Sequence, residues 1–290
     1  MRNLIIGCAS NYDWNTLQYW CNSINQSGFE GDKVLILLNC DKETVIKVEQ
    51  AGFKIIGFNK DDEGNLVHDS KMPPHVERFI HIYDYLKKSP EYDWVITTDV
   101  KDVIFQKDPV KWIEEYKEAH CFYFNSNDHY DYFFSSESIL YKNEPWGNQN
   151  LLETYGPYVH EIFKENEIYN VGVLAGTGYA MKSLMINIFS SCMGKPIPIC
   201  DQSTFNFMIS QSPYKQKSKY FKSEDGWACQ LGTTADPAKI QEFKSHLLES
   251  SPIMESGSVK TSDGSKDFCI VHQYDRVPAW RHIIQMKYST

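Results

Sequence analysis

Apolar and polar positions along this chain alternate between two periods. Residues 4–9, Leu4-Ile5-Ile6-Gly7-Cys8-Ala9, form an unbroken apolar run too short for a helix, which predicts a strand buried on both faces. Over residues 13–26, Trp14, Leu17, Trp20, Cys21 and Ile24 return every three or four positions and so share one stripe of a helix. The alternation continues with a strand at 33–39, a helix at 41–52 and a strand at 53–58. A polar loop at 59–74, a helix at 75–88 and a strand at 94–98 follow. Parallel strands need a long return connection, usually a helix, so this order predicts an α/β fold with a mostly parallel central sheet and helices on both faces.

Further along, the pattern predicts a helix at 110–119, a strand at 121–125 and a long irregular stretch at 126–158 rich in aromatics, Asn, Ser and Gly. A strand at 170–175, the turn Gly176-Thr177-Gly178 and a helix at 181–192 come next, then a helix at 202–211. The tail is expected to hold a short strand at 227–231, a helix at 239–249, a Ser/Gly/Lys-rich loop at 256–266 and a strand at 268–272. There are no internal repeats. The whole is expected to be a single α/β domain of two halves, residues 1–125 and 126–290.

The strand at 94–98 runs directly into Asp99 and Asp102. Ligands of open α/β sheets bind outside the carboxyl ends of the strands, so two carboxylates there are placed to hold a cation against a polar ligand. Crowded carboxylates repel one another unless a cation lies between them, and hard oxygen donors suit a divalent metal on a phosphate ester. Capping of the following turn is the alternative use of the same two residues.

Composition narrows the partners. At 290 residues and 42% hydrophobic content the chain can bury a large core. A formal net charge of −9 argues against nucleic acid, whose binding needs phosphates neutralised by Lys and Arg. The 8 cysteines form no C-x-x-C pair, so structural zinc of that type is not expected and free buried thiols are. No G-x-G-x-x-G follows the first strand and there is no P-loop, which counts against a dinucleotide cofactor. No apolar run reaches the length of a membrane span and the first residues lack a signal-peptide pattern, so a cytoplasmic protein without a membrane span is expected.

The run Thr98-Asp99-Val100-Lys101-Asp102-Val103-Ile104-Phe105-Gln106 resembles the DxD-type metal site of GT-A glycosyltransferases, in its Thr-Asp-Val-(Arg/Lys)-Asp-Val variant. Four further segments fall in that family's order. The helix bearing Arg78 is similar to the one that lends a basic residue to the donor. Asn170-Val171-Gly172 and Asp201-Gln202-Ser203-Thr204-Phe205-Asn206 resemble the family's Asn-x-Gly strand and Asp-Gln helix start. His272-Gln273-Tyr274-Asp275-Arg276 resembles the terminal segment whose His completes the metal shell. The departure is the spacing, Asp-x-x-Asp rather than Asp-x-Asp, which leaves open which Asp touches metal directly.

The resemblance implies a GT-A fold and a metal-dependent transfer of sugar from a nucleotide sugar, most naturally a UDP-hexose or UDP-xylose, to a hydroxyl of a glycan or glycoprotein acceptor. It implies Mn²⁺ or Mg²⁺ on Asp99, Asp102 and His272, with the imidazole favouring manganese. Asp201 is the expected catalytic carboxylate and Gln202 its neighbour; the carboxylate serves either an inverting or a retaining course. Donor contacts are expected from Ala9, Ser10 and Tyr12 at the end of the first strand, and from Arg78, Gly176 and Arg276. Lys260 and Lys266 are further candidates to clamp diphosphate. Tyr12 is placed to stack on a uracil ring or to cover the first helix. Trp146 is placed to be a sugar platform or a packed core residue. Two rival readings stand beside this one. A nucleotidyltransferase or pyrophosphorylase would release pyrophosphate rather than nucleoside diphosphate, and a non-catalytic carbohydrate-binding protein would bind without turnover.

Overall fold

The computed structural model describes residues 2–121, 130–232 and 251–289. The expected helix at 239–249, and the expected strand at 121–125 beyond its first residue, lie outside them. The first half winds β1 (Asn3–Ser10), α1 (Trp14–Gln26), β2 (Asp32–Leu38), α2 (Lys42–Gln50) and β3 (Lys54–Ile56). A small hairpin of β4 (Asn59–Lys60) and β5 (Leu66–Val67) then interrupts the stretch read as loop, before α3 (Pro74–Lys88), β6 (Trp94–Thr98), β7 (Val103–Phe105) and α4 (Pro109–Cys121). Helix starts follow local chemistry: Asp13 and Asp41 each accept the amide of the third residue onward, and Pro74 opens α3.

The second half differs from the sequence reading. Residues 126–158 were expected to be irregular, but β8 (Tyr132–Leu140) and α5 (Pro145–Phe163) occupy most of the described part. Glu144 caps α5, and Gly156 (φ 78°, ψ 172°) turns a corner within it before Pro157 starts the second helical piece. The chain continues through β9 (Glu167–Thr177), α6 (Gly178–Cys192), α7 (Asp201–Ile209), α8 (Tyr214–Lys217), β10 (Ser218–Phe221) and β11 (Ala228–Gln230). A hairpin of β12 (Ile253–Glu255) and β13 (Ser258–Lys260) replaces part of the expected loop, followed by β14 (Ile270–His272) and a C-terminal helix, Pro278–Tyr288.

Seven strands form the central sheet in the order β10-β8-β9-β6-β1-β2-β3. Only β9 runs against its neighbours; the β1–β2, β1–β6, β2–β3 and β8–β10 pairs are parallel. The sheet therefore crosses both halves of the chain. Period-two alternation divides β1 between two cores. Ile5 and Ala9 pack with Leu17 and Trp20 of α1, whereas Leu4 and Ile6 pack with Phe79 and Ile82 of α3 and with α6. Burying a side chain of this size contributes about 1.5–3 kcal/mol, so both helical layers are held firmly to the sheet. A second sheet, β11-β14-β7, carries Gln230 and His272 and begins just after Asp102. Cys8, Cys21, Cys40, Cys192, Cys200, Cys229 and Cys269 are free, all buried except the half-buried Cys8. Among the described residues no helix is long and apolar enough to cross a membrane.

Candidate active site

Two strand ladders bring the distant acidic and imidazole groups together. Antiparallel pairing of β7 with β14 sets Val103 opposite His272, so Asp102, one residue before Val103, lies beside the imidazole. Its backbone carbonyl accepts the amide of Gln273 at 2.7 Å, which closes the corner. Gln273 takes a left-handed conformation (φ 60°), uncommon for a residue with a side chain and frequent at binding sites. Across the other ladder, β6 against β9, Thr98 pairs with Val173 and the Asp99 amide donates to the Gly172 carbonyl at 2.8 Å. His272 Nε2 consequently lies 3.4 Å from Asp99 Oδ2 and 3.7 Å from Asp102 Oδ1.

The imidazole is oriented from behind. Parallel pairing of β11 with β14 places Gln230 beside His272, and His272 Nδ1 donates to Gln230 Oε1 at 2.7 Å, while Gln230 Nε2 donates to the Ser135 hydroxyl at 2.6 Å. That fixes the tautomer: Nδ1 carries the proton and the Nε2 lone pair faces the two carboxylates. Burial of the ring, 2% exposed, lowers the His272 pKa despite the nearby Asp102, so the neutral form prevails near pH 7. Among the described residues Nε2 has no hydrogen-bond partner. A buried lone pair aimed between two anionic groups is repulsive unless a cation joins them. The donors of Asp99, Asp102 and His272 all lie within 4.8 Å of one another. Octahedral sites with bonds near 2.1 Å hold adjacent donors about 3 Å apart, within small side-chain rotations of this arrangement. The residues present thus fit a divalent cation.

Gly172 is the glycine that the close approach requires. A Cβ there would lie 2.6 Å from His272 Cε1, 2.7 Å from Asp99 Oδ2 and 2.8 Å from Asn170 Oδ1. Gly176, expected to meet the donor, instead pairs with Val95 at the far end of β6. A Cβ there would strike the Asp131 carbonyl and Met181, so Gly176 serves packing. Ala9 is likewise placed elsewhere, 1% exposed in the α1-side core, because alternate residues of β1 face opposite ways. The residues that β1 turns toward the site are Cys8 and Ser10. Burial pushes the Cys8 thiol up to about 12, so it stays protonated and is not a nucleophile.

Arg78 of α3 connects the metal-type cluster to α7. Its Nη1 contacts Asp99 Oδ1 and its Nη2 lies 3.2 Å from Asp201 Oδ2. Asp201 is the first residue of α7 and does not cap it; Cys200 holds the cap position without a side-chain bond, and the Asp201 carboxylate, 6% exposed, turns to Arg78. Gln202 has both amide ends on β9 backbone, Oε1 accepting from Val171 N at 3.0 Å and Nε2 donating to Tyr169 O at 2.7 Å. Asn206 pairs with both backbone groups of Tyr169. Gln202 and Asn206 therefore position the end of β9 that leads into Gly172. Gln106 performs a similar service, joining the Val259 amide and carbonyl and the Phe268 carbonyl just before β14.

Two adjoining clefts open on this cluster. One, of about 350 Å³, is lined by Cys8, Ser10, Tyr12, His75, Arg78, Asp99, Lys101, Asp102, His272 and Arg276. The other, of about 420 Å³, shares Arg78, Asp99, His272 and Arg276 and adds Glu137, Glu144, Trp146, Asn170, Gly172, Asp201 and Gln202. Trp146 is 54% exposed at its rim, not packed in the core. Glu137 accepts from the Asn170 amide at 2.7 Å; sequence reading missed it because it sits in a strand taken for irregular chain. Lys260 pairs with Glu255 and Lys266 with the Glu224 carbonyl, and neither lines either cleft.

No protein-family model matches the chain, and no curated protein matches it either. Solved structures do. The glycosyltransferase GlyE of Streptococcus pneumoniae TIGR4 superposes with a TM-score of 0.51 at 12% identity, over 100% of this chain and 62% of that one. The apo structure of the bifunctional glycosyltransferase WbbM gives 0.55 at 9% identity, over 99% of this chain and 51% of that one. The fold is thus one that glycosyltransferases use, and the chain spans between half and two-thirds of the length of these two.

Proposed function

We propose that the protein is a metal-dependent glycosyltransferase that moves a sugar from a nucleoside-diphosphate sugar, most naturally a UDP-hexose or UDP-xylose, to a hydroxyl of a glycan or glycoprotein. The observation that carries this reading is the convergence of Asp99, Asp102 and the orphaned Nε2 of His272 at the carboxyl end of β6, beside the Arg78 guanidinium. Asp99, Asp102 and His272 would hold Mn²⁺, or Mg²⁺, with imidazole nitrogen favouring manganese. Such an ion, when bound, supplies positive charge to the departing diphosphate.

The remaining work falls to the chain's own side chains. Ser10 and Tyr12 border the cleft nearest β1, where a base and ribose meet the sheet edge. Arg78, shared by both clefts, steadies anionic donor oxygens, and Arg276, whose side chain is 60% exposed, adds charge from the rim. Gly172, in the lining of the larger cleft, leaves room beside Asp99 and His272 that a side chain would fill. Asp201, positioned by Arg78, is the carboxylate we assign to the acceptor hydroxyl, and Trp146 offers an exposed aromatic face to a sugar ring. Gln202 acts through β9 as a positioning residue.

The test is product analysis with UDP-glucose, UDP-galactose and UDP-xylose in the presence of Mn²⁺. Release of UDP that requires metal and disappears in Asp102→Ala is the expected result. Pyrophosphate release would point to nucleotidyl transfer, and saccharide binding without turnover to a binding protein; either would overturn the reading.

A further inference from the structure

A second set of metal-type donors lies on the face of α3 next to the one that carries Arg78. Glu77 and His81 stand four residues apart, so their side chains emerge on one face of the helix, while His68 reaches them from just beyond β5. His68 is anchored independently: its amide donates to Asn39 Oδ1 at 2.7 Å, and the preceding Leu66 bridges to Cys40. We propose that His68, Glu77 and His81 form a second cation site, suited to an imidazole-preferring divalent ion such as Zn²⁺, which fastens the β4–β5 segment to α3. The proposal stands apart from the glycosyltransferase reading.

Geometry and chemistry agree. Glu77 Oε1 lies 2.8 Å from His68 Nε2 and 3.4 Å from His81 Nε2, and one donor atom from each residue falls within 4.8 Å of the others. Tetrahedral zinc with bonds of 2.0–2.1 Å holds its donors about 3.3 Å apart. Among the described residues His81 Nε2 is buried without a well-formed hydrogen bond, the same sign that marks His272 in the first cluster. The Phe58 ring lies 4.8 Å from the His68 ring and 4.5 Å from the His81 ring, so one wall of the site is apolar. Glu77, 3% exposed, is a buried carboxylate facing two imidazoles. Two nitrogens and one oxygen favour late first-row ions over Mg²⁺ or Ca²⁺, and three protein donors leave a coordination position for water. Arg78 follows Glu77 directly, so an ion here would brace the helix that carries the cleft's guanidinium.

The experiment uses the tag-free chain of 290 residues carrying Asp102→Ala, which takes one of the three donors from the first cluster. Zn²⁺ titrated by calorimetry should bind one to one and raise the melting temperature, and Co²⁺ should give the intense visible bands of a tetrahedral centre. Adding His81→Gln or His68→Asn should weaken Zn²⁺ by at least the about hundredfold that removal of even an outer-shell partner can cause. Far-UV circular dichroism establishes that each variant is folded. The His68 variant, altered in a connecting segment, keeps the test valid if the helix variant is not. Absence of Zn²⁺ uptake by the Asp102→Ala chain, or uptake unchanged by both histidine substitutions, would overturn the proposal.

Discussion

Gly172→Ala isolates the geometry of the cluster from its chemistry, because it removes no ligand. The new Cβ would stand 2.6 Å from His272 Cε1 and 2.7 Å from Asp99 Oδ2. Carbon atoms rest about 3.5–4.0 Å apart, so one of these groups must retreat by about 1 Å. Neither is the loose end of a side chain: His272 is tied to Gln230, and the other oxygen of Asp99 is tied to Arg78. Gly172 does not have a left-handed backbone, so the substitution adds crowding without backbone strain. Overpacking of this kind costs about 1–3 kcal/mol, and each kcal/mol lowers the melting temperature by about 2–4 °C in a chain of this size class. A misplacement of about 1 Å at a reacting centre can reduce turnover about 100-fold, so loss of Mn²⁺ affinity and of UDP release should far exceed what the stability change explains. Gly176→Ala is the control. Its Cβ would press on the Asp131 carbonyl at 2.5 Å, a comparable clash at the opposite end of the strand. Calorimetric Mn²⁺ titration and thermal melts of both variants decide the matter. If the two lose similar stability and both retain the metal affinity of the parent chain, the Asp99–His272 convergence is not a metal centre.

Three further outcomes follow from the same geometry. Gln230→Leu leaves the Nδ1 proton of His272 without its acceptor and should lower Mn²⁺ affinity about 10–100-fold, read by calorimetry, with the fold intact. Arg78→Lys keeps the charge but cannot reach Asp99 and Asp201 together; losing one charge-assisted contact should cost about 1.5–3 kcal/mol in urea unfolding, and unchanged stability would show that the bridge is idle. Burial lowers the pKa of both His272 and His81 below the ordinary 6.5, so under acid the unfolded chain takes up protons before the folded one does. In chelator these groups contribute nothing above the unfolded pKa, and stability should fall as pH drops below about 6.5 until the folded-state pKa values are passed. Replacing both histidines with Gln should flatten that decline, and an identical slope in the variant would refute the assignment.

The first half of the fold was legible because its periods are clean. The run at 4–9 can only be a strand buried on both sides, and the stripe from Trp14 to Ile24 only a helix. Legibility failed where polar residues are buried and satisfied from afar. In β8, Ser135 is hydrogen-bonded to Gln230 and Ser136 to Glu167, so a buried strand reads as a polar loop. Gly156 and Pro157 look like a loop but form a corner between two helical pieces. The residues Asp99, Asp102 and His272 could be singled out by type and order, but which glycine faces their cluster could not. Gly172 and Gly176 share one strand, and only the register of antiparallel β9 against β6 puts the first at the cluster and the second away from it. The same holds for Ala9 against Cys8 and Ser10, where a strand boundary says nothing of facing until a helix packs on one side. The second imidazole cluster escaped notice because His68 and His81 belong to different elements that only the folded loop unites.

The ladder between β7 and β14 also sets a timetable. During synthesis the amino-terminal residues leave the ribosome first, so Asp99 and Asp102 emerge well before the strand bearing His272. Until that strand arrives, β7 lacks its antiparallel partner and Ile104, fully covered in the finished protein, has no neighbour from Val271. A nascent or prematurely terminated polypeptide ending ahead of residue 272 cannot assemble the three-donor centre, whatever else of the large sheet it builds. Convergence of the three donors is therefore withheld from any product that stops short of residue 272, and arrives only as β14 docks.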